Sequence, residues 1–217
     1  MDLRCTTADY DLLYARWLQK PGTLLRLAGF EPGMKLMDLC GGTGAVSREV
    51  IQLGADPSDI TLVDLNPRAD ELGVNQEACK AENIAWIFNG QWSQFDVVIC
   101  RQAMAYLDLG GVNGINLFMA VYALLKPGGV FVFNTFIRPR WAFKRYRYKG
   151  VRYVEASAYL GRTVWHLQGI PGFGWDATKF RWHRPEVIYE LGRRFEVTES
   201  INGRAQYWTL RKPGGEA

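Results

Sequence analysis

Only two histidines and four cysteines occur among the 217 residues, and no two cysteines form a C-x-x-C pair. That excludes a disulfide framework and argues against a zinc site, so no resident metal is expected. No stretch approaches the roughly 18 uninterrupted apolar residues that a membrane helix needs. The opening MDLRCTTADYDLL holds aspartates and no long apolar run, unlike a secretory leader. A cytoplasmic protein with reduced thiols is the expectation. Acidic residues are missing altogether between Asp108 and Glu155, where eight basic ones stand.

Hydrophobic residues are 48% of the chain and charged ones 22%, a globular composition. A chain of 24.7 kDa buries a full core without a staple. The net charge of +4 is unevenly divided. Residues 1–137 hold 10 Lys/Arg against 15 Asp/Glu, a net of −5, and residues 138–217 hold 16 against 7, a net of +9. An acidic front half is joined to a basic, aromatic back half.

The front half alternates short apolar runs with helical ones. Strands are expected at Lys35–Leu39, Ile60–Asp64, Ile84–Phe88 and Phe95–Cys100, with a fifth in the VFVFNT run after Lys126-Pro127-Gly128-Gly129. Helices are expected near Ala45–Leu53, Ala69–Ala81 and Val112–Leu125. Such alternation implies a parallel sheet with helices on both faces. Arg194–Ser200 and Arg204–Leu210 flank an Asn202-Gly203 turn signal and should form an antiparallel hairpin. From Arg138 to Pro185, aromatic and β-branched residues with partial period-two spacing predict a small β insertion of two to four strands. The expected division is a core at 1–137, an inserted lid at 138–185 and a closing helix and hairpin at 186–217.

The central site signal is Leu36-Met37-Asp38-Leu39-Cys40-Gly41-Gly42-Thr43-Gly44, placed after a strand and before a helix. Glycines there let a ligand approach the backbone and the helix N-terminus. Read from Gly42 with Ser47 as sixth position, the loop fits a dinucleotide pattern. Asp38, four residues earlier, repels a pyrophosphate and suits a cationic ligand; a mere tight turn is the third reading. Asp64 ends the second strand, twenty residues beyond Gly44. A carboxylate there either accepts both hydroxyls of a ribose or simply faces water. Together the two positions describe a nucleoside with a positive charge at its other end.

Asp38-Leu39-Cys40-Gly41-Gly42-Thr43-Gly44 resembles the first motif of class I S-adenosylmethionine-dependent methyltransferases, closest in spelling to those of ubiquinone/menaquinone biosynthesis. Val63-Asp64-Leu65-Asn66 resembles the second motif, and Phe95-Asp96-Val97-Val98 the fourth-strand motif. Leu124 through Gly129 is similar to the family's turn into the fifth strand, and Tyr10-Asp11 to its usual opening. The resemblance implies an α/β, Rossmann-like, mostly parallel seven-stranded sheet with an antiparallel last strand, plus a β lid after the fifth strand. It implies S-adenosyl-L-methionine as cofactor. The residues carried over to hold it are Tyr10, Asp38, Cys40, Gly41, Gly42, Gly44, Asp64, Leu65 and Arg101, with Gly90, Gln91 and Trp92 at the adenine.

The implied chemistry is direct displacement of a methyl group, for which a protein aligns donor and acceptor and excludes water. Tyr10 and Tyr14 are candidates to face the sulfonium through cation–π attraction, or else pack as core aromatics. A hydroxyl or ammonium acceptor must lose a proton. His183 and His166 are the candidate bases, with surface histidines the plainer alternative. Arg101 would contact an anionic acceptor or the cofactor carboxylate.

Arg138, Arg140, Lys144, Arg145, Arg147, Lys149 and Arg152 are interleaved with Trp141, Phe143, Tyr146, Tyr148 and Tyr153. That texture suits single-stranded nucleic acid, an acidic membrane surface, or a lid over a small anionic or aromatic acceptor. No Asn/Asp-Pro-Pro-Tyr motif and no Pro-Cys nucleophile appear. A small-molecule acceptor is therefore expected ahead of RNA. A non-catalytic cofactor binder or an NAD-dependent oxidoreductase of the same fold are the alternatives from other classes.

Overall fold

The computed structural model describes residues 20–107, 109–136, 142–148, 151–160, 163–170, 174–181, 183–202 and 205–214. Helix α1 (Pro21–Ala28) opens with proline in its first turn, where the missing N–H costs nothing, and stops at Gly29 in the left-handed region. Strand β1 (Leu36–Leu39) is buried at every residue. The glycine loop and helix α2 (Ala45–Gln52) follow, then β2 (Ile60–Asp64), β3 (Asn75–Ala78), the one-turn α3 (Ile84–Ile87) and β4 (Phe95–Cys100). Helix α4 (Gly111–Leu124) leads into β5 (Leu125–Phe136). Strands β6 (Ala142–Tyr148), β7 (Val151–Leu160), β8 (Thr163–Ile170) and β9 (Gly174–Arg181) come next. Helix α5 (Pro185–Leu191), β10 (Glu196–Asn202) and β11 (Ala205–Arg211) complete the order.

Seven strands form one sheet in the order β10-β11-β5-β4-β1-β2-β3. The five from β3 to β5 are parallel, and β11 runs antiparallel to both β5 and β10. This agrees with the sheet expected from the motifs. The other four strands form an antiparallel sheet in chain order, the upper bound of the inserted count. Among the described residues no helix is long and apolar enough to cross a membrane.

Strand alternation divides the core into two layers. On one face Phe131 and Phe133 of β5 meet Phe118 of α4 edge-on, with ring centroids 5.9 and 6.0 Å apart. On the other, Val130 and Val132 join Leu24, Leu25 and Val46 from α1 and α2. Trp208 of β11 is fully buried, stacks on Phe133, receives Tyr189 edge-on, and donates its indole N–H to Thr135 Oγ1 at 3.0 Å.

Two expected elements are exchanged. The segment read as a helix over Ala69–Ala81 holds one 3-10 turn, stopped at Gly73 (φ +67°), and then strand β3. The run read as a strand over Ile84–Phe88 contains helix α3 instead. The cause is position in the sheet. Among the described residues β3 pairs only with β2, so its backbone bonds hold it without an apolar side-chain run. Ile84 fills the core while Trp86 and Ile87 stay exposed, a one-sided burial that a helical turn satisfies.

Candidate functional site

In a parallel sheet the ligand crevice lies beyond the carboxyl ends of the strands. Here those ends present Asp38 from β1, Cys40 just after it, Asp64 from β2 and Arg101 after β4. After Leu39 the chain turns through Cys40 (φ +58°), Gly42 (φ +54°) and Gly44 (φ +72°). Cys40 thus occupies the left-handed region at a cost of about 1 kcal/mol for a residue bearing a Cβ. Glycine is required at Gly41, where a Cβ would lie 2.7 Å from Asp38 Cγ and 2.8 Å from Leu62 Cγ.

Two carboxylates brace this loop. Asp38 is buried, and its Oδ2 accepts from Ser47 N–H at 3.1 Å and Ser47 Oγ at 2.8 Å. Its Oδ1 is buried without a hydrogen-bond partner among the described residues. Asp64 is half-exposed; Oδ2 accepts from Gly42 N–H at 3.0 Å and Oδ1 from Asn66 N–H at 2.8 Å. An ionised carboxylate offers about four lone-pair sites, so among the described residues each Asp64 oxygen keeps one for a ligand. Leu65, the next residue, is exposed beside it.

Burial raises the Asp38 carboxyl above its ordinary range, while the Ser47 bonds and the Arg101 charge pull it down. A carboxyl raised on folding makes the folded state the tighter proton binder. Its contribution to stability is therefore present in acid and is lost as pH rises from 3.8 through the folded value. Asp38→Asn should remove that slope. Urea denaturation across this range should show the variant gaining on the parent as pH rises; a constant difference would exclude the linkage. The Cys40 thiol is pushed well above its ordinary range, first by its hydrogen bond with Cys100 and then by burial. It is held as a thiol, not a nucleophile.

Asn134, near the carboxyl end of β5, had no role assigned from the sequence. Its Oδ1 accepts from Gln102 N–H at 2.8 Å and holds that residue at φ +60° beside Arg101. Its Nδ2 is buried without a partner among the described residues. The available signal was a polar residue ending the apolar run VFVF in a strand paired on both sides.

Gly90, Gln91 and Trp92, expected at the adenine, lie before the amino end of β4, at the other end of the strands from Asp38 and Asp64. Their loop precedes β4, and its Ser93 and Gln94 N–H groups bond the Ala123 and Leu124 carbonyls where α4 ends. That expectation takes Ile84–Phe88 as the third strand, whereas the structure has β3 at Asn75–Ala78. The loop that does follow β3 begins at Cys79, whose N–H donates to Asp64 O at 2.9 Å, and runs to Asn83. Glu82 within it stands close enough to Cys40 to act on its thiol.

His183 is buried just before α5, with Nε2 2.9 Å from the Met104 carbonyl. A carbonyl only accepts, so that nitrogen carries the hydrogen. The bond ties the chain leaving β9 to the turn after β4. His183→Leu should cost about 1–3 kcal/mol by orphaning the carbonyl, with His183→Gln closer to the parent in chemical denaturation. Equal losses in both would remove the bond's importance. His166 lies on β8 opposite Ser157 and Thr178. Tyr10 and Tyr14 fall outside the described residues.

A methyltransferase-domain family model matches residues 13–184. A ubiquinone biosynthesis O-methyltransferase of Cereibacter sphaeroides is 26% identical over 75% of this chain and 59% of its own length. A demethylmenaquinone methyltransferase of Tropheryma whipplei is 33% identical over 53% of this chain and 47% of its own. The chain thus spans about half to three-fifths of these relatives' lengths. A solved amino pentose methyltransferase from Micromonospora echinaspora, with SAM bound, superposes with a TM-score of 0.69 at 20% identity, covering 98% of this chain and 99% of that one. A sugar N-methyltransferase from Streptoalloteichus gives 0.65 at 19% identity, covering 94% and 92%. The fold is shared across the whole of the described sheet, and with most of its length matched by the family model the chain belongs to the methyltransferase-domain family.

Proposed function

We propose that the chain is a cytoplasmic S-adenosyl-L-methionine-dependent methyltransferase acting on a hydroxyl or amine of a small-molecule acceptor. The observation that carries this reading is Asp64, held by Gly42 and Asn66 N–H groups with one acceptor site left on each oxygen. That arrangement fits the vicinal hydroxyls of a ribose. Bound there, the cofactor supplies an electrophilic methyl on a sulfonium.

The chain's own residues do the rest. Gly41, Gly42 and Gly44 let the ligand lie close to the backbone, and Asp38 behind them braces the loop through its two bonds from Ser47. Arg101 is the candidate partner for the methionyl carboxylate, with the unpaired Asn134 amide beside its turn. The loop from Cys79 to Asn83 replaces Gly90, Gln91 and Trp92 as the adenine contact. Displacement needs an aligned acceptor and a dry site more than an acid or base. Strand β9 packs against the Met104–Tyr106 turn, which supports residues 138–185 as a lid, 1–137 as cofactor core and 186–217 as its closing piece. His183 acts as the positioning residue at that joint, and His166 and Tyr14 are retained as candidates on the acceptor side. The quinone and sugar acceptors in the relatives' names favour a small molecule.

Isothermal titration tests the reading. S-adenosylmethionine should bind and NAD should not; NAD binding without sulfonium binding would overturn it in favour of an oxidoreductase.

A further inference from the structure

Two uncharged stretches of sequence lie side by side on one face. Residues 83–95 contain no charged residue, nor do residues 109–125. The first carries α3 and the loop before β4, and the second carries α4. Helix α3 packs along α4, and the loop is tied to the end of α4 by the Ser93 N–H to Ala123 carbonyl bond of 2.9 Å. Their outward surface is uncharged and largely apolar, with Asn113 and Asn116 of α4 exposed among the apolar side chains. Trp86 is 80% exposed, Val112 69%, Ile115 54%, Trp92 45%, Ile87 43% and Met119 41%.

Such a face is unusual for a helix bordering water, which normally carries charge on its outer side. With a tryptophan side chain offering some 150–250 Å², the six residues expose on the order of 600 Å² of apolar surface. A monomer's largest patch runs to about 300–600 Å², and a stable dimer buries about 800 Å² on each partner, its polar rim included. The patch has the size of an interface core.

We infer that this face is the contact between two copies of the chain, related by a two-fold axis. Charge selects the occupant. Neither stretch carries a charge, so closing this face against a second copy buries no ion and leaves none unpaired. An isologous contact puts the same patch on both sides, and residues close to the axis beside their own counterparts, which neutral side chains tolerate. Homodimer cores are apolar and rich in Trp and Met, as here. An acidic lipid surface would find no Lys or Arg within either stretch to hold it. The face runs the length of α4, from Val112 in its first turn to the loop tied at its last residues.

Sedimentation equilibrium of the full chain from about 1 to 100 µM tests this. Expected is a concentration-dependent rise toward twice the 24.7 kDa chain mass. Trp86→Glu and Met119→Glu each put a carboxylate into the contact on both copies, and each should return the mass to one chain while circular dichroism stays that of the parent. Ile115→Lys serves the same purpose should either variant fail to fold. A parent that remains monomeric throughout, a dimer that survives all three substitutions, or a monomer that co-sediments with neutral phosphatidylcholine vesicles would each overturn the proposal.

Discussion

Asp64→Ala should weaken S-adenosylmethionine binding by about 100-fold in isothermal titration. The carboxylate has two tasks that alanine cannot perform. It would accept two hydroxyls of the ribose, and a hydrogen bond to a charged group contributes about 1.5–3 kcal/mol; about 1.4 kcal/mol is tenfold in affinity. It also accepts the Gly42 and Asn66 N–H groups, so its loss loosens the loop before the ligand arrives. Asp64→Asn separates the two tasks. The amide keeps one oxygen for a backbone N–H but turns a donor toward the other, so a smaller loss of about tenfold is expected. An affinity within twofold of the parent for Asp64→Ala would remove the ribose role while leaving the fold untouched.

Trp208→Ala should lower the unfolding free energy by about 3–5 kcal/mol, the usual cost of emptying a buried tryptophan site. The indole is fully buried between Phe133 and Tyr189 and satisfies Thr135 Oγ1, which in turn donates to Gln206 Oε1 at 3.2 Å. Alanine leaves a cavity and strips one donor from a buried polar chain. For a chain of this size the melting point should fall by about 10 °C or more. Trp208→Phe keeps the stacking and most of the volume, so it should recover more than half of the loss in urea titrations read by linear extrapolation. A loss below about 1 kcal/mol would contradict the packing of β11 against β5.

The parts of the fold that could be read directly are those whose side chains are buried on both sides. β1, β2 and β4 are apolar runs because neighbouring strands and two helical layers enclose them, and each was expected within a residue of its place. β3 escaped because Asn75-Gln76-Glu77-Ala78 carries no such run; an edge strand is held by backbone bonds, which leave little trace in composition. The same exchange carried Gly90, Gln91 and Trp92 to the wrong end of the sheet. The glycine loop, Asp38 and Asp64 could be read as a candidate site because they fall within residues 36–64, at the ends of the neighbouring strands β1 and β2. Asn134 could not, since its meaning comes from Gln102, 32 residues earlier in the chain. Pairings between distant segments are what a single sequence hides.

β11 lies between β5 and β10, yet it is the last of the seven strands in chain order. During synthesis all six others leave the ribosome before it. Until it inserts, β5 exposes an unpaired edge along the backbone that later pairs with residues 205 to 211, and Phe133 lacks the indole that covers it. An open apolar edge is a template for aggregation, and contacts that must wait for distant chain are slow to form. The nascent chain should therefore depend on chaperone cover for the interval in which residues 137–204 are made, several seconds at roughly 5–20 residues per second.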